Sequence, residues 1–332
     1  MFRTSRTLAA VLVALMLASV ALVGCSQSST STDSPHQGSQ LPLAVRIGTL
    51  PTEDSLPLWV AEKQGYFQTE GIPKVDIVEF QSAQERDTAF ASGAIDGFMG
   101  DIIAATNLSV AGKPDTIETV MLGADQSQGR FGIAVPPKST VTTLSQLANV
   151  PIGTSSATIQ EYVLDGLMRE AGVATDSVNV EEVNKVPVRF QLLMSGQLKA
   201  AALPEPFLSL AEQGGAKVIA SDTTAKSNLS QTVLVFSNAF LAKEGGKTTV
   251  DSVLRAWDVS VKDINSGPNT VRQLLVDKAR LPQSLAASYK INTYPAHQLP
   301  SQADVDAVLA WMKAKGYLKT DVTYAQLTGQ AQ

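Results

Sequence analysis

The 332-residue chain contains one cysteine and two histidines. A single cysteine excludes an internal disulfide and any site built from several thiolates. The two histidines, His36 and His297, stand far apart and match no paired-histidine metal motif. We therefore expect neither a metal site nor a cofactor.

Clustered positive charge is also missing. The chain has 26 basic and 31 acidic residues, a formal net charge of −5, and no run of lysine or arginine. Proteins that bind nucleic acid usually carry a basic patch, so we expect no such partner. The composition, 44% hydrophobic and 17% charged, is typical of a soluble globular protein. Beyond the N-terminus no apolar run reaches the ~20 residues that a bilayer crossing requires.

The N-terminus carries an export signal, predicted over residues 1–24. Arg3 and Arg6 precede an uncharged apolar segment at residues 8–23. The segment ends in Leu-Val-Gly-Cys, which resembles the lipobox of bacterial lipoproteins. The resemblance implies cleavage before Cys25, lipidation of its thiol, fatty acyl chains such as palmitate, and an anchor on the extracytoplasmic side of the cell membrane. An ordinary secretory signal with an incidental cysteine is the alternative.

Residues 25–43 are rich in Ser, Thr, Gln, Pro and Gly, and they predict a flexible tether because they offer little to bury. The remaining residues suffice for two lobes. An internal repeat supports two: Ile-Gly-Thr occurs at residues 47–49 and again at 152–154, and Arg86 and Arg189 each stand seven residues before a glycine that can end a helix. Chance similarity between two α/β segments is the alternative.

The order of strands and helices predicts an α/β fold, in which two sheets with parallel cores are flanked by helices. Two apolar segments, 131–135 and 232–236, are predicted to be hinge strands between the lobes. Lobe 1 would then comprise residues 44–130 and 233–332, and lobe 2 residues 131–232. The helical C-terminal stretch is expected to complete lobe 1.

Four segments together resemble the substrate-binding proteins of ABC importers in the nitrate, sulfonate and taurine class, which includes binders of thiamine-precursor pyrimidines. They are Arg-Ile-Gly at 46–48, Trp-Val-Ala-Glu-Lys-Gln-Gly-Tyr-Phe-Gln-Thr-Glu-Gly at 59–71, Ala-Ser-Gly-Ala-Ile-Asp-Gly at 91–97 and Leu-Pro-Glu-Pro at 203–206. The resemblance implies a two-lobed type II periplasmic-binding fold. It further implies a monomer that closes on a small solute and docks on a membrane permease driven by an ATPase.

Ligands of open α/β sheets bind beyond the carboxyl ends of the strands, near helix N-termini. This rule selects loop residues that could equally well only cap helices. Asp54 or Ser55 could cap the first helix, and Thr158 and Glu161 have the spacing of a capping box. The candidates are Leu50, Asp54, Ser55, Gln81 and Ser82 in lobe 1, and Thr154, Ser155, Ser156 and Thr158 in lobe 2.

Three charged residues complete the predicted site. Arg130 is the preferred partner of an anionic group, although it could instead pair with a surface acid. Asp101 and Glu205 each follow a strand and could accept hydrogen bonds from a ligand. For Glu205 we favour a role at a helix N-terminus, and for Asp101 both roles stay open. If both line the cleft, a zwitterionic or cationic ligand is favoured over a bare anion.

We therefore predict a protein that captures a small polar solute and performs no chemistry. The sequence has no P-loop, HExxH motif or nucleophile elbow. An enzyme of pyrimidine or thiamine metabolism on the same fold is one alternative, but such enzymes rely on a cysteine-rich loop and histidines that this chain lacks. A lipoprotein sensor on the same fold is the other.

Overall fold

The computed structural model describes residues 41–330. The predicted signal peptide, Cys25 and most of the predicted tether lie outside the described residues. Within residues 41–330 no helix combines the length and the apolar character that a bilayer crossing needs.

In the described part of the chain, ten strands form two five-stranded sheets with the same arrangement. In each sheet three strands pair in parallel at one side, and a single antiparallel strand separates them from the fifth. The orders are β2-β1-β3-β10-β4 and β7-β6-β8-β5-β9. The strands are β1 (Val45–Thr49), β2 (Val75–Glu79), β3 (Gly97–Asp101), β4 (Asp115–Leu122), β5 (Phe131–Val135), β6 (Pro151–Thr154), β7 (Asn179–Glu182), β8 (Ala201–Pro204), β9 (Lys217–Ser221) and β10 (Thr232–Ser237).

Helices cover the sheets, as the predicted α/β architecture requires. We call the first sheet with its helices lobe 1 and the second with its helices lobe 2. The α-helices are α1 (Leu56–Gln64), α2 (Tyr66–Thr69), α3 (Ala83–Ala91), α4 (Ile102–Val110), α5 (Ile159–Glu170), α6 (Val186–Met194), α7 (Phe207–Gln213), α8 (Asn238–Leu241), α9 (Gly246–Ser266), α10 (Arg272–Lys278), α11 (Gln283–Ala286), α12 (Gln302–Ala314) and α13 (Tyr324–Thr328).

The two predicted hinge strands, β5 and β10, lie inside the sheets rather than between them. Each is the antiparallel strand of its sheet, and burial on both faces explains its apolar sequence. The connections between lobes run just before these strands, through residues 123–130 and 222–231. The lobe boundaries predicted at 130/131 and 232/233 stay a prediction; the strands fall on matching sides of them, apart from Thr232, the first residue of β10.

Helix α12 contacts both lobes. It packs against α4 of lobe 1. Toward lobe 2, Trp311 Nε1 donates a 2.9 Å hydrogen bond to Asp165 Oδ2, and its ring meets Tyr162 edge to face at 5.3 Å. Lys315, just after the helix, pairs with Glu161 at 2.7 Å. The C-terminal stretch therefore also covers α5 of lobe 2.

Candidate ligand-binding cleft

A cavity lies between the lobes at the carboxyl ends of the parallel strands. Its enclosed volume is about 30 Å³, within a wider space of about 470 Å³ between protein atoms that includes open solvent. Lobe 1 contributes Leu50, Thr52, Asp54, Ala83, Arg86, Met99, Gly100, Asp101 and Thr232; lobe 2 contributes Phe131, Ser155, Thr158, Ile159, Gln160, Asn184, Val186 and Pro204. Both polar and apolar side chains line the wall, as in many small-molecule sites.

Five of the predicted ligand-binding residues line this cavity. They are Leu50, Asp54, Asp101, Ser155 and Thr158. The other seven do not: Ser55, Gln81, Ser82, Arg130, Thr154, Ser156 and Glu205. Whether any of the twelve touches a ligand stays a prediction. Ser156 lies in a neighbouring groove, where its backbone N–H and hydroxyl bond to Glu182.

Asp101 occupies the junction of the two lobes. Its Oδ1 accepts a 2.8 Å hydrogen bond from Ala104 N and so caps α4. Its Oδ2 accepts a 3.4 Å bond from Ile159 N, in the first turn of α5 of the other lobe. Burial raises the pKa of this carboxyl group, while Arg86 and the backbone donors act in the opposite direction. Asp101 thus caps a helix and also lines the cavity.

Asp54 lies in a short 3-10 turn before α1, and the predicted cap is not formed by either candidate. Ser55 occupies the N-cap position without a side-chain bond, and its hydroxyl donates to Leu50 O instead. The carboxylate of Asp54 accepts a 2.5 Å bond from Thr52 Oγ1. Burial raises the pKa of Asp54. The carboxylate of Asp54 thus lies in the cavity wall, with the preceding Thr52 as its hydrogen-bond partner.

The first turn of α5 forms the opposite wall. Thr158 caps the helix by accepting a bond from Gln160 N, whereas Glu161 bonds to Ala157 N at 2.7 Å. The predicted reciprocal capping box therefore does not form, since Glu161 serves the residue before the cap. The hydroxyl of Ser155 bonds to Asn184.

Arg130 does not line the cavity. Its Nη1 lies 3.1 Å from Glu205 Oε1 and 2.8 Å from Glu212 Oε2, so it pairs with acids of lobe 2. The carboxylate of Glu205 also accepts bonds from Ser209 N and Ser209 Oγ in the first turn of α7. This is the helix N-terminal role favoured for Glu205 from the sequence.

Sequence reasoning missed five polar residues of the wall: Thr52, Arg86, Gln160, Asn184 and Thr232. Asn184 could have been found, because it closely follows β7 and the strand-end rule applies to that strand as well. Arg86 has a structural role: Nη1 donates to Met99 O at 2.8 Å and Nη2 to Asp87 Oδ1 at 2.7 Å. It nevertheless borders the cavity.

The lobes touch one another around the cavity. Besides the bond to Asp101, Asn184 Nδ2 donates to Gln84 Oε1 at 3.3 Å, and Lys185 Nζ lies 2.8 Å from Glu85 Oε1. Glu53 N donates to the carbonyl of Glu205 at 3.4 Å. These contacts place the molecule in a closed arrangement.

The sequence of this chain is similar to those of known proteins. A family model described as NMT1-like matches residues 40–266. A protein of Brachyspira hyodysenteriae named an ABC transporter periplasmic binding protein is 23% identical over 270 residues, 77% of this chain and 73% of that protein.

Solved structures share the fold. The alkanesulfonate-binding protein SsuA of Xanthomonas axonopodis pv. citri, bound to MOPS, superposes with a TM-score of 0.71 at 18% identity, covering 86% of this chain and 97% of that one. The periplasmic nitrate-binding protein NrtA of Synechocystis PCC 6803 gives 0.69 at 12% identity, over 84% and 83%. The predicted periplasmic-binding fold is confirmed.

Proposed function

The chain belongs to the NMT1-like family, and from this we propose that it is the solute-binding component of an ABC importer. It captures a small polar solute between its lobes and delivers it to a membrane permease driven by an ATPase. The observation that carries the proposal is the cavity at the carboxyl ends of both sheets, whose wall comes from both lobes. A ligand in that position contacts both halves at once, so binding favours the closed arrangement.

The two connections between the lobes lie side by side and form the hinge. Asn228 Nδ2 donates to Gly123 O at 2.6 Å. Gly123 has a φ of +86°, and a Cβ there would lie 2.5 Å from Ser230 O, so only glycine fits this approach. Small dihedral changes in such a paired connection move one lobe against the other without disturbing either sheet.

The same proposal includes an extracytoplasmic location and a lipid anchor at Cys25. It is supported by the export signal before Cys25 and by the named periplasmic relative. The protein acts as a monomer and catalyses no reaction. Metabolic labelling with palmitate should mark the wild-type chain and leave Cys25→Ala unlabelled. Equal labelling of both would remove the anchor from the proposal.

A thermal-shift screen tests solute capture. The purified protein is titrated with sulfonates, taurine, nitrate, thiamine pyrimidines, riboflavin and small amino acids. A solute at a hundred times its dissociation constant stabilises the folded state by ~2.7 kcal/mol, which raises the melting midpoint of a protein of this size by roughly 4–5 °C. At least one class should do so. If no solute of the panel moves the midpoint, capture of these solutes is rejected.

A further inference from the structure

The charges on the cavity wall are unbalanced. Asp54 and Asp101 both line it, and they are only 5% and 4% exposed. Within residues 41–330 neither carboxylate forms an ion pair with a basic side chain, although the positive charge of Arg86 acts on both and opposes the rise that burial causes in the pKa of each. Among these residues the one basic side chain on the wall is Arg86, and its guanidinium already bonds to Asp87 and to Met99 O. The wall therefore presents more negative than positive charge to a solute.

Asp101 also occupies the place where an anion would be stabilised. The N-terminus of a helix attracts negative charge through its free N–H groups and its dipole. At α5 this attraction is met by the carboxylate of Asp101, which comes from the other lobe and accepts the Ile159 N–H. A sulfonate or nitrate brought to the same turn would face a buried like charge, and repulsion between such charges is strong where water is excluded.

We propose that Asp101 determines the specificity of the cavity: with Asp54 it selects a solute that presents a cationic nitrogen or several N–H donors, and it excludes a solute that presents only an anion. This inference rests on the proposed capture of a solute in this cavity. An ionised carboxylate can accept about four hydrogen bonds. Asp101 accepts two from the protein, one of them long, which leaves sites for a donor of the solute.

Burial also favours such a solute. Removing Asp54 and Asp101 from water raises the pKa of each and makes the ionised forms costly. A cationic nitrogen beside them offsets this cost, as an ion pair does in other buried sites. Met99, Phe131 and Val186 line the rest of the wall and suit a small apolar body behind the nitrogen.

Three probes built on the same two-carbon chain separate the possibilities: ethanesulfonate carries only the anion, 2-aminoethanol only the ammonium group, and taurine both. Each is titrated calorimetrically into the wild type, Asp101→Asn and Glu205→Gln. Asparagine is as good an N-cap as aspartate, so α4 keeps its cap in the first variant. Glu205 is the matched control, because it holds the equivalent position in lobe 2, is 6% exposed and lies off the cavity wall.

We expect the wild type to bind taurine or 2-aminoethanol at least tenfold more tightly than ethanesulfonate. Asp101→Asn should reduce that preference at least tenfold and gain affinity for ethanesulfonate, whereas Glu205→Gln should keep the wild-type order. Three results each overturn the inference: ethanesulfonate bound by the wild type as tightly as taurine, no gain for ethanesulfonate in Asp101→Asn, or the same change in Glu205→Gln. A bound bare anion would refute only the specificity, whereas silence across the broad solute screen would reject capture of the screened solutes.

Discussion

Arg86 in lobe 1 and Arg189 in lobe 2 hold matching places. Each is fully buried in a helix and donates from Nη1 to a strand carbonyl thirteen residues further on, Met99 O and Ala202 O, at 2.8 Å in both lobes. Their ionic surroundings differ. Arg86 bonds to Asp87, whereas Arg189 forms no ion pair among residues 41–330, and burial lowers its pKa to about 9. The shared role is to tie a helix to the strand that follows it.

The glycines of the repeated Ile-Gly-Thr motif match as closely. A Cβ on Gly48 would lie 2.6 Å from Ile95 Cδ1, and one on Gly153 would lie 2.5 Å from Leu198 Cδ1. In each lobe the strand passes so close to an apolar side chain that a Cβ there would force this side chain to move. The repeat in the sequence is therefore a repeat of packing.

The lobes differ in the carboxylates at the ends of β3 and β8. Asp101 reaches across to α5 of the other lobe and lines the cavity, while Glu205 turns to Ser209 and Arg130 within its own lobe. The longer glutamate side chain reaches the first turn of its own helix from one residue further back. The two lobes thus share a scaffold, and the carboxylates at matching positions differ in whether they reach the other lobe.

Replacing the two buried arginines should reveal the largest difference in stability between the lobes. Arg189→Met leaves two buried acceptors, the carbonyl of Ala202 and Gln160 Oε1, without their donor, and two unsatisfied buried acceptors cost about 3 kcal/mol together. Arg86→Met leaves one such carbonyl, Met99 O, and should cost about half as much. Urea unfolding of the two variants measures the difference. Equal losses of stability would mean that the ion pair between Arg86 and Asp87 contributes as much as the second buried acceptor bond of Arg189.

Substitutions of Gly48 and Gly153 test whether the two lobes are packed equally closely around these glycines. Gly48→Ala and Gly153→Ala should each destabilise the protein by about 1 to 3 kcal/mol through overpacking, and by similar amounts. Gly267→Ala is the control, because a Cβ there meets its nearest neighbour at 3.8 Å and its φ is −149°. Its free energy of unfolding should stay nearly unchanged. A large difference between Gly48→Ala and Gly153→Ala would contradict equivalent packing.

An acid in the first loop of lobe 1 gives that lobe a pH dependence of its own. Burial raises the pKa of Glu53 from 4.5 to about 7, although Asn292 N and Tyr289 OH donate to it. Between these values the folded state keeps a proton that the unfolded state releases. Stability therefore falls as pH rises from about 4.5 to about 7, by up to about 1.4 kcal/mol per pH unit.

Glu53→Gln should reduce this slope, and unfolding curves recorded at several pH values will measure the change. A part of the slope should remain, because burial also raises the pKa of Asp115 to about 8 and that of Asp222 to about 6. The matching loop of lobe 2, at residues 155–157, carries no acid. A variant with an undiminished slope would place the titrating group elsewhere.

The smallest effect is expected at the rim of the cleft. Lys185→Ala removes the exposed pair with Glu85 of the other lobe, and exposed pairs contribute less than about 1 kcal/mol. The affinity for a stabilising solute should fall no more than about fivefold and less so at high salt. Lys247→Ala, which removes an exposed pair within α9, is the control and should leave affinity unchanged. A larger loss would make Lys185 a ligand contact.

The scaffold was predictable because it follows from local patterns. The strand after residue 45, the helix ended by Gly93 and its counterpart ended by Gly196 were read from apolar periodicity and from glycines that take φ of +76°. Strand-end loops followed from the parallel order, and this is why Asp101 and Ser155 were found.

The hydrogen-bond and ion-pair partners of the side chains were harder to predict from the sequence. Arg130 was expected at the ligand but pairs with Glu205 and Glu212, which lie 75 and 82 residues away in sequence. Thr158 and Glu161 have the spacing of a capping box, yet the two side chains serve different backbone groups. The spacing of residues in the sequence shows which side-chain contacts are possible. Which of these contacts form depends on the other hydrogen-bond partners nearby in the fold.

By itself, the sequence determined the two α/β lobes, their repeat and the loops that face one another, because periodicity, glycine caps and strand order act within some twenty residues of chain. Only the tertiary structure decided which carboxylate reaches the other lobe, which arginine is already neutralised and how the C-terminal helix covers α5. Those outcomes depend on distances between residues far apart in the chain, and burial fixes them by leaving each charged group only the partners that its neighbours provide.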